Sequence, residues 1–347
     1  MQKKVLFAFI IAAMVFGTRG EFLFAQRGGR SQGETLEIRI ASPLPKESPW
    51  GRSLDRIAVE WARTTNNQLQ LRVLHNGIEG DEERMLRSLK GNHIQAAVLT
   101  TFGLAEINPA IMTMSAPFLI RTDSELNAVM KEVEAELEAG INSDEYFLVS
   151  WSKSGYANIF SKDLVLTPDD LRKQRIASSP EATSMNTVFK TMGFQVVETA
   201  LTDMGNKVAS GAVQAVYITP SGAAPFQLHT QLKNMLSINI APIMGGIVIN
   251  QVTWRRIAAM NPQFQQNIVR ITRQVSQELD ASMPKLTSDA VNSMSRTGLS
   301  VNKPNQAQEQ LWYDDLDRSL NNLLGNAYDQ NLYQKIQTIV RRERGNR

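Results

Sequence analysis

Residues 81–99 read Asp81-Glu82-Glu83-Arg84-Met85-Leu86-Arg87-Ser88-Leu89-Lys90-Gly91-Asn92-His93-Ile94-Gln95-Ala96-Ala97-Val98-Leu99. Three acids open the stretch, Arg87 and Lys90 close its first half, and Gly91 follows. Acids at the start and bases at the end complement a helix dipole, and glycine is the usual left-handed stop, so a short helix is predicted there. From Ile94 to Leu99 the chain is almost continuously apolar, as expected of a strand buried on both faces. A helix leading straight into such a strand is half of a β-α-β unit.

The same alternation extends in both directions. Upstream, Leu36, Ile38 and Ile40 alternate with polar residues as in a strand. Ser48 stands as an N-cap with Pro49 at the first helical position, and Leu54, Ile57, Ala58 and Trp61 follow at helical spacing. Residues 69–74 form the next strand. Downstream, Leu126, Val129, Met130, Val133 and Leu137 make a helical stripe, and residues 147–151 and 156–160 read as two strands. Thr167-Pro168-Asp169-Asp170 is a second cap followed by proline, 175–178 a strand, and Ala182, Met185, Phe189 and Met192 a helix stopped by Gly193. Residues 215–218 and 246–250 are further strands. Two such runs predict two α/β lobes, each with a mostly parallel sheet flanked by helices.

The last third differs. Asn261-Pro262 caps a long helical pattern through Ile268, Ile271, Val275, Leu279, Met283, Leu286 and Ala290, with Pro284 inside it, where a kink or break is expected. A strand at 299–301 and amphipathic helices around 311–324 and 332–340 follow. The basic end, Arg341-Arg342-Glu343-Arg344, reads as a solvated tail.

Composition narrows the function. A chain of 347 residues exceeds one ordinary core, and 42% hydrophobic with 20% charged residues is a globular balance. The absence of cysteine excludes disulfides, thiolate metal sites and a cysteine nucleophile. Lys3 and Lys4 precede an apolar run, residues 5–17, far shorter than a bilayer span. Residues 1–25 are therefore read as a signal peptide cleaved after Ala25, and 26–35 as a flexible leader. Removing residues 1–25 lowers the formal net charge from +3 to +1, so no nucleic-acid partner is indicated. His75, His93 and His229 are not at metal-ligand spacing, and Asp314, Asp315 and Asp317 read as a solvated face. No dinucleotide, P-loop or nucleophile-elbow motif appears, so neither an enzyme nor a cofactor is expected.

A resemblance now becomes visible. It rests on the run 41–50, the strand and turn 69–80, and the block 89–120 with Gly91-Asn92-His93-Ile94-Gln95-Ala96-Ala97 and Ala116-Pro117-Phe118-Leu119. It continues through Asp170-Leu171, the Arg175 strand, Gly193, Ser210-Gly211-Ala212-Val213-Gln214-Ala215 and Ile249-Asn250 with Trp254. In order and spacing these resemble the extracytoplasmic solute receptors of tripartite ATP-independent periplasmic (TRAP) transporters, over roughly residues 36–320. The resemblance implies a periplasmic, two-lobed binding protein with a long helix bridging both lobes and a cleft that shuts on a small-molecule ligand. It further implies delivery to TRAP membrane subunits, and points to the receptors that work with a tetratricopeptide-repeat protein. Lobe I is expected to comprise 36–152 and 243–282, lobe II 153–242 and 283–347, with crossovers near 151–156 and 237–245 and two separate sheets.

The departures bear on the ligand. Acid-carrying members of the family hold the carboxylate with an Arg that falls here on Ala177, in Arg175-Ile176-Ala177-Ser178-Ser179. Other polar positions of the pattern fall on Ala157, Gln214 and Ile218, and a covering aromatic falls on Leu201. A carboxylate buried without a paired cation costs several kcal/mol. The ligand is therefore expected to be apolar or weakly polar, lined by Leu44, Phe102, Met114, Phe118, Trp151, Tyr156, Met185, Leu201 and Met244, with Ala177, Ser178, Tyr217 and Ile218 at the implied contact positions. Two alternatives are a carboxylate receptor that uses Arg175 and an extracytoplasmic scaffold that binds no ligand.

Overall fold

The computed structural model describes residues 35–180 and 182–345. The expected signal peptide and nearly all of the leader lie outside the described residues.

Elements follow the expected alternation. The first part contains β1 (Leu36–Ala41), α1 (Pro49–Thr64), β2 (Leu69–Leu74), α2 (Glu82–Lys90), β3 (Ala96–Thr100), α3 (Thr101–Ile107) and α4 (Asp123–Ile141). Next come β4 (Tyr146–Ser161), α5 (Pro168–Arg172), β5 (Arg175–Ser178), α6 (Thr183–Thr191), β6 (Gln195–Glu198), α7 (Met204–Ala209), β7 (Ala215–Ile218) and α8 (Pro220–Ala223). The chain ends with β8 (Asn234–Asn250), α9 (Gln251–Met260), α10 (Pro262–Arg296), β9 (Ser300–Asn302), α11 (Gln306–Leu323) and α12 (Gln330–Gly345). Caps read from the sequence do their work. Ser48 Oγ accepts from Gly51 N at 3.1 Å, and Thr167 and Asp170 form a reciprocal capping box.

In one lobe β2, β1 and β3 are parallel; in the other β6, β5 and β7 are parallel. Two long strands join them. β8 pairs antiparallel with β3 at its C-terminal end, takes β9 alongside its N-terminal end, and pairs antiparallel with β4 along most of its length; β4 in turn pairs antiparallel with β7. This corrects the expectation of two separate sheets. The hydrogen-bond path runs unbroken in the order β2-β1-β3-β8-β4-β7-β5-β6. The apparent gap between the strands at 147–151 and 156–160 is a set of register shifts inside one ribbon, at Leu148/Ser150, Lys153/Gly155 and Ala157/Ile159. Asn158 bridges the last of these by donating to the carbonyls of Leu236 (3.3 Å) and Ile238 (2.6 Å).

α10 also departs from expectation. It continues through Pro284 as one 35-residue helix. The proline removes one backbone donor, but Leu279 and Met283 are packed with Trp50 on that turn, which holds the helix across the defect. It lies along α1 and β4 and reaches α8, so it spans both lobes. No helix among the described residues is long and apolar enough to cross a membrane.

The C-terminal helices divide between the lobes instead of both joining the second. α11 packs on α5 and α6, with Trp312 Nε1 donating to Leu166 O at 3.0 Å. Asp315, expected on a solvated face, is buried between Arg172 (2.5 Å) and Arg318 (2.5 Å). α12 packs on α4 of the first lobe. The basic end is not a free tail: Arg342 pairs with Glu132, and Arg344 with the buried Glu125 at 3.0 Å.

Candidate functional site

In open α/β sheets ligands bind beyond the carboxyl ends of the strands, where connections diverge. Both lobes turn those ends toward one cleft. The first contributes Pro43 and Leu44 after β1, Val98, Leu99 and Thr100 at the end of β3, Phe102, and Trp50, Ser53 and Ile57 of α1. The second contributes Ser178 and Ser179 after β5, Leu201 and Thr202 after β6, Tyr217, Ile218 and Thr219 at the end of β7, and Phe226. The crossing elements supply Ser150, Ser152 and Ser154 of β4, Ile243, Gly245 and Gly246 of β8, and Ser276 and Leu279 of α10.

The wall is apolar with scattered hydroxyls. Among the described lining residues the only charged side chains are Asp81 and Glu82; there is no Lys, Arg or His. Asp81 caps α2 by accepting from Arg84 N at 2.8 Å. Glu82 is buried and accepts from Thr100 N (2.5 Å), Thr100 Oγ1 (2.8 Å) and Gly103 N (3.0 Å), which ties α2 to the β3–α3 junction. These donors stabilise the carboxylate where it stands. Three polar atoms of lining residues are buried with no hydrogen bond: Trp50 Nε1 from the first lobe, and Ser178 Oγ and Tyr217 Oη from the second. Burial pushes the Tyr217 phenol far above its ordinary value, so it remains a neutral hydroxyl.

Of the residues expected from the sequence, Leu44, Phe102, Ser178, Leu201, Tyr217 and Ile218 line this cleft. The others lie elsewhere. Met114, Met185 and Met244 are core residues, and the Met244 backbone is held by Thr101 Oγ1 (N···O 2.9 Å). Phe118 sits at a left-handed turn with its ring edge-on to Tyr313, 5.1 Å between centroids. Trp151 packs into the main core. Ala177 is fully buried behind the cleft with Val208, Val216 and Ala223. Tyr156 borders a second, more polar hollow behind the ribbon, with Arg121, Lys153 and Asp280. Arg175 stands at the opposite end of β5, exposed, with Nε donating to Ala212 O (2.7 Å) and Nη2 to Gly211 O (2.8 Å). It cannot clamp a ligand in this cleft, which removes the geometric basis for the carboxylate alternative.

The serines were missed. Ser150, Ser152 and Ser154 recur at the strand period of two, which was a legible signal for one hydroxyl-bearing face. Ser150 Oγ lies 3.2 Å from Ser276 Oγ, and Ser152 Oγ donates to Asp280 Oδ1 at 3.1 Å, so that face is turned toward α10.

Comparisons with known proteins agree with this geometry. Residues 40–325 match the family model described as bacterial extracellular solute-binding protein, family 7. A solute-binding protein of Chromohalobacter salexigens is 24% identical over 134 residues, 38% of this chain and 40% of that protein. Another from Sulfitobacter sp. is 24% identical over 232 residues, 64% of this chain and 69% of that one. Among solved structures, a TRAP periplasmic solute-binding protein of Ralstonia eutropha H16 with bound (S)-2-acetolactate superposes with TM-score 0.81 at 18% identity, covering 88% of this chain and 99% of its own. One of Sulfurospirillum deleyianum with bound succinate gives 0.79 at 15% identity, with 88% and 99% covered. One of Pseudomonas putida F1 with bound D-glucuronate gives 0.78 at 15%, with 88% and 97% covered.

Proposed function

Because the chain belongs to the bacterial extracellular solute-binding proteins of family 7, we propose that it is an extracytoplasmic receptor that encloses an uncharged, largely apolar small molecule between its lobes and hands it to TRAP-type membrane subunits. Family membership places it among binding receptors and not enzymes. The observation that carries the ligand class is a cleft with two acids and no cation among its described lining residues. The three solved structures named above hold small acids. In this cleft a carboxylate would meet Asp81 and Glu82 without a counter-ion, and its desolvation would go uncompensated. An apolar body loses nothing by desolvation and gains roughly 25 cal/mol per Å² buried. One polar group on such a ligand would find Trp50 Nε1 and Ser178 Oγ without partners.

Closure is proposed as a hinge of the β4–β8 ribbon, with the domain limits expected from the sequence for all but α12. An apolar cargo also fits the proposed tetratricopeptide-repeat partner. The test is a thermal-shift screen of the exported protein against neutral apolar or weakly polar compounds, and against succinate, glucuronate and acetolactate. Stabilisation by the neutral set alone is expected; a clear rise with any of the three acids would overturn the ligand class.

A further inference from the structure

We propose that Gly77 and Thr202 are the contact at which the two rims of the cleft meet when it shuts, and that residue 77 must be glycine for that reason. This rests on the receptor reading above.

Gly77 lies in the turn after β2, on one rim; Thr202 follows β6, on the other, and lines the cleft. A Cβ placed on Gly77 would stand 2.4 Å from Thr202 Cγ2 and 3.8 Å from Thr202 Cβ. The first distance is well inside van der Waals contact, so the rims touch here with no room for a methyl group. The backbone conformation favours glycine here but would also admit asparagine. Gly77 has φ +63°, but its neighbour Asn76 has nearly the same angle, φ 62°. The turn is also fixed in place: Asn76 N donates to Leu44 O (3.0 Å), Gly77 N to Ser42 O (3.0 Å), and Gly80 N to Gly77 O (2.8 Å). With this turn fixed, a larger residue at 77 has to displace Thr202 on the opposite rim, which works against closure.

The chain has no cysteine, which permits a direct test. The Cβ separation of 3.8 Å matches the mean for disulfides, about 3.8 Å. In Gly77→Cys/Thr202→Cys, mild oxidation is expected to produce an intramolecular cross-link, seen as loss of both free thiols in a monomer and reversed by a reductant. Each single-cysteine variant should give only slow intermolecular dimers. No monomeric cross-link in the folded double variant would overturn the proposal. A second measurement avoids cysteine. Gly77→Ala should lower the melting temperature more in the native background than in Thr202→Gly, because backbone strain persists there and the clash does not; equal losses in both would also overturn it. Absence of any ligand response in the thermal-shift screen, with the cross-link formed, would sink the receptor reading and leave the rim contact standing. A ligand response without a cross-link would do the reverse.

Discussion

Asp280 on α10 accepts a hydrogen bond from the backbone N–H of Lys153 at 2.7 Å, so the helix spanning both lobes is fastened to β4 at its register shift. Ser152 Oγ donates to the same oxygen. Burial nevertheless holds the Asp280 pKa above the ordinary carboxylate value, against the pull of the Lys153 N–H, the Lys153 charge and Ser152. The folded chain thus binds this proton more tightly than the unfolded chain. Asp280 contributes most to stability below the ordinary pKa, and loses that contribution as pH rises through the raised value. Asp280→Asn keeps an acceptor without the charge. It should match or exceed the native protein in stability near pH 7 and show a flatter profile through the acid range. Asp280→Ala should cost about 1–3 kcal/mol by orphaning the Lys153 donor. Urea denaturation across pH 4–8 measures both.

Glu125 carries the opposite sign. Burial raises its pKa, but the hydrogen bonds from Arg344 and Arg121 N outweigh burial and leave it below the ordinary value. That contribution is full above the ordinary pKa and is lost as pH falls through the depressed one. Arg344→Ala should therefore destabilise by about 1–3 kcal/mol near neutrality, with the difference from the native protein shrinking on acidification. Thermal melts of both proteins at several pH values check this; a gap that widens in acid would contradict it.

Gly246 lines the cleft at the bottom of the ribbon. A Cβ there would stand 2.8 Å from Leu148 Cδ1 and 3.0 Å from Ser150 O. Gly246→Ala is expected to cost about 1–3 kcal/mol through overpacking, measured as a lower urea midpoint. An unchanged midpoint would mean that the ribbon relaxes freely at this point.

Arg175→Ala removes a guanidinium already occupied by two carbonyls outside the cleft. The affinity of whichever compound scores in the screen should change by less than about two-fold, well under the factor of ten that corresponds to 1.4 kcal/mol. Isothermal titration decides this, and a loss beyond ten-fold would restore Arg175 as a contact.

What the sequence disclosed follows from the range over which each signal acts. The α2–β3 passage, the Ser48, Thr167 and Asn261 caps and the long stripe of α10 are local patterns, and the structure bears them out, except that the left-handed residue ending α2 is Asn92 (φ 56°) and not Gly91 (φ −76°). β6 (Gln-Val-Val-Glu) went unread because four residues with no strict alternation give no period. β4 and β8 were read too short because their register shifts break the alternation that marks a strand. The destination of Arg344 depends on α4, more than 200 positions earlier. The cleft was half legible for a similar reason. Leu201 and Ile218 face space while Met185 and Met244 face core, and an apolar residue carries no local mark of which it faces.

The central position of β8 has a consequence for assembly in time. Residues 234–250 lie between β3 and β4, so neither strand has its β8 partner until some 250 residues of chain are present. A chain produced from its N-terminus therefore carries two open, apolar strand edges through most of its synthesis, and closes them with contacts of long sequence separation. Such topologies fold slowly and expose sticky intermediates. β8 is thus the strand whose arrival joins the two halves of the sheet, and only the short β9 is added to the sheet after it.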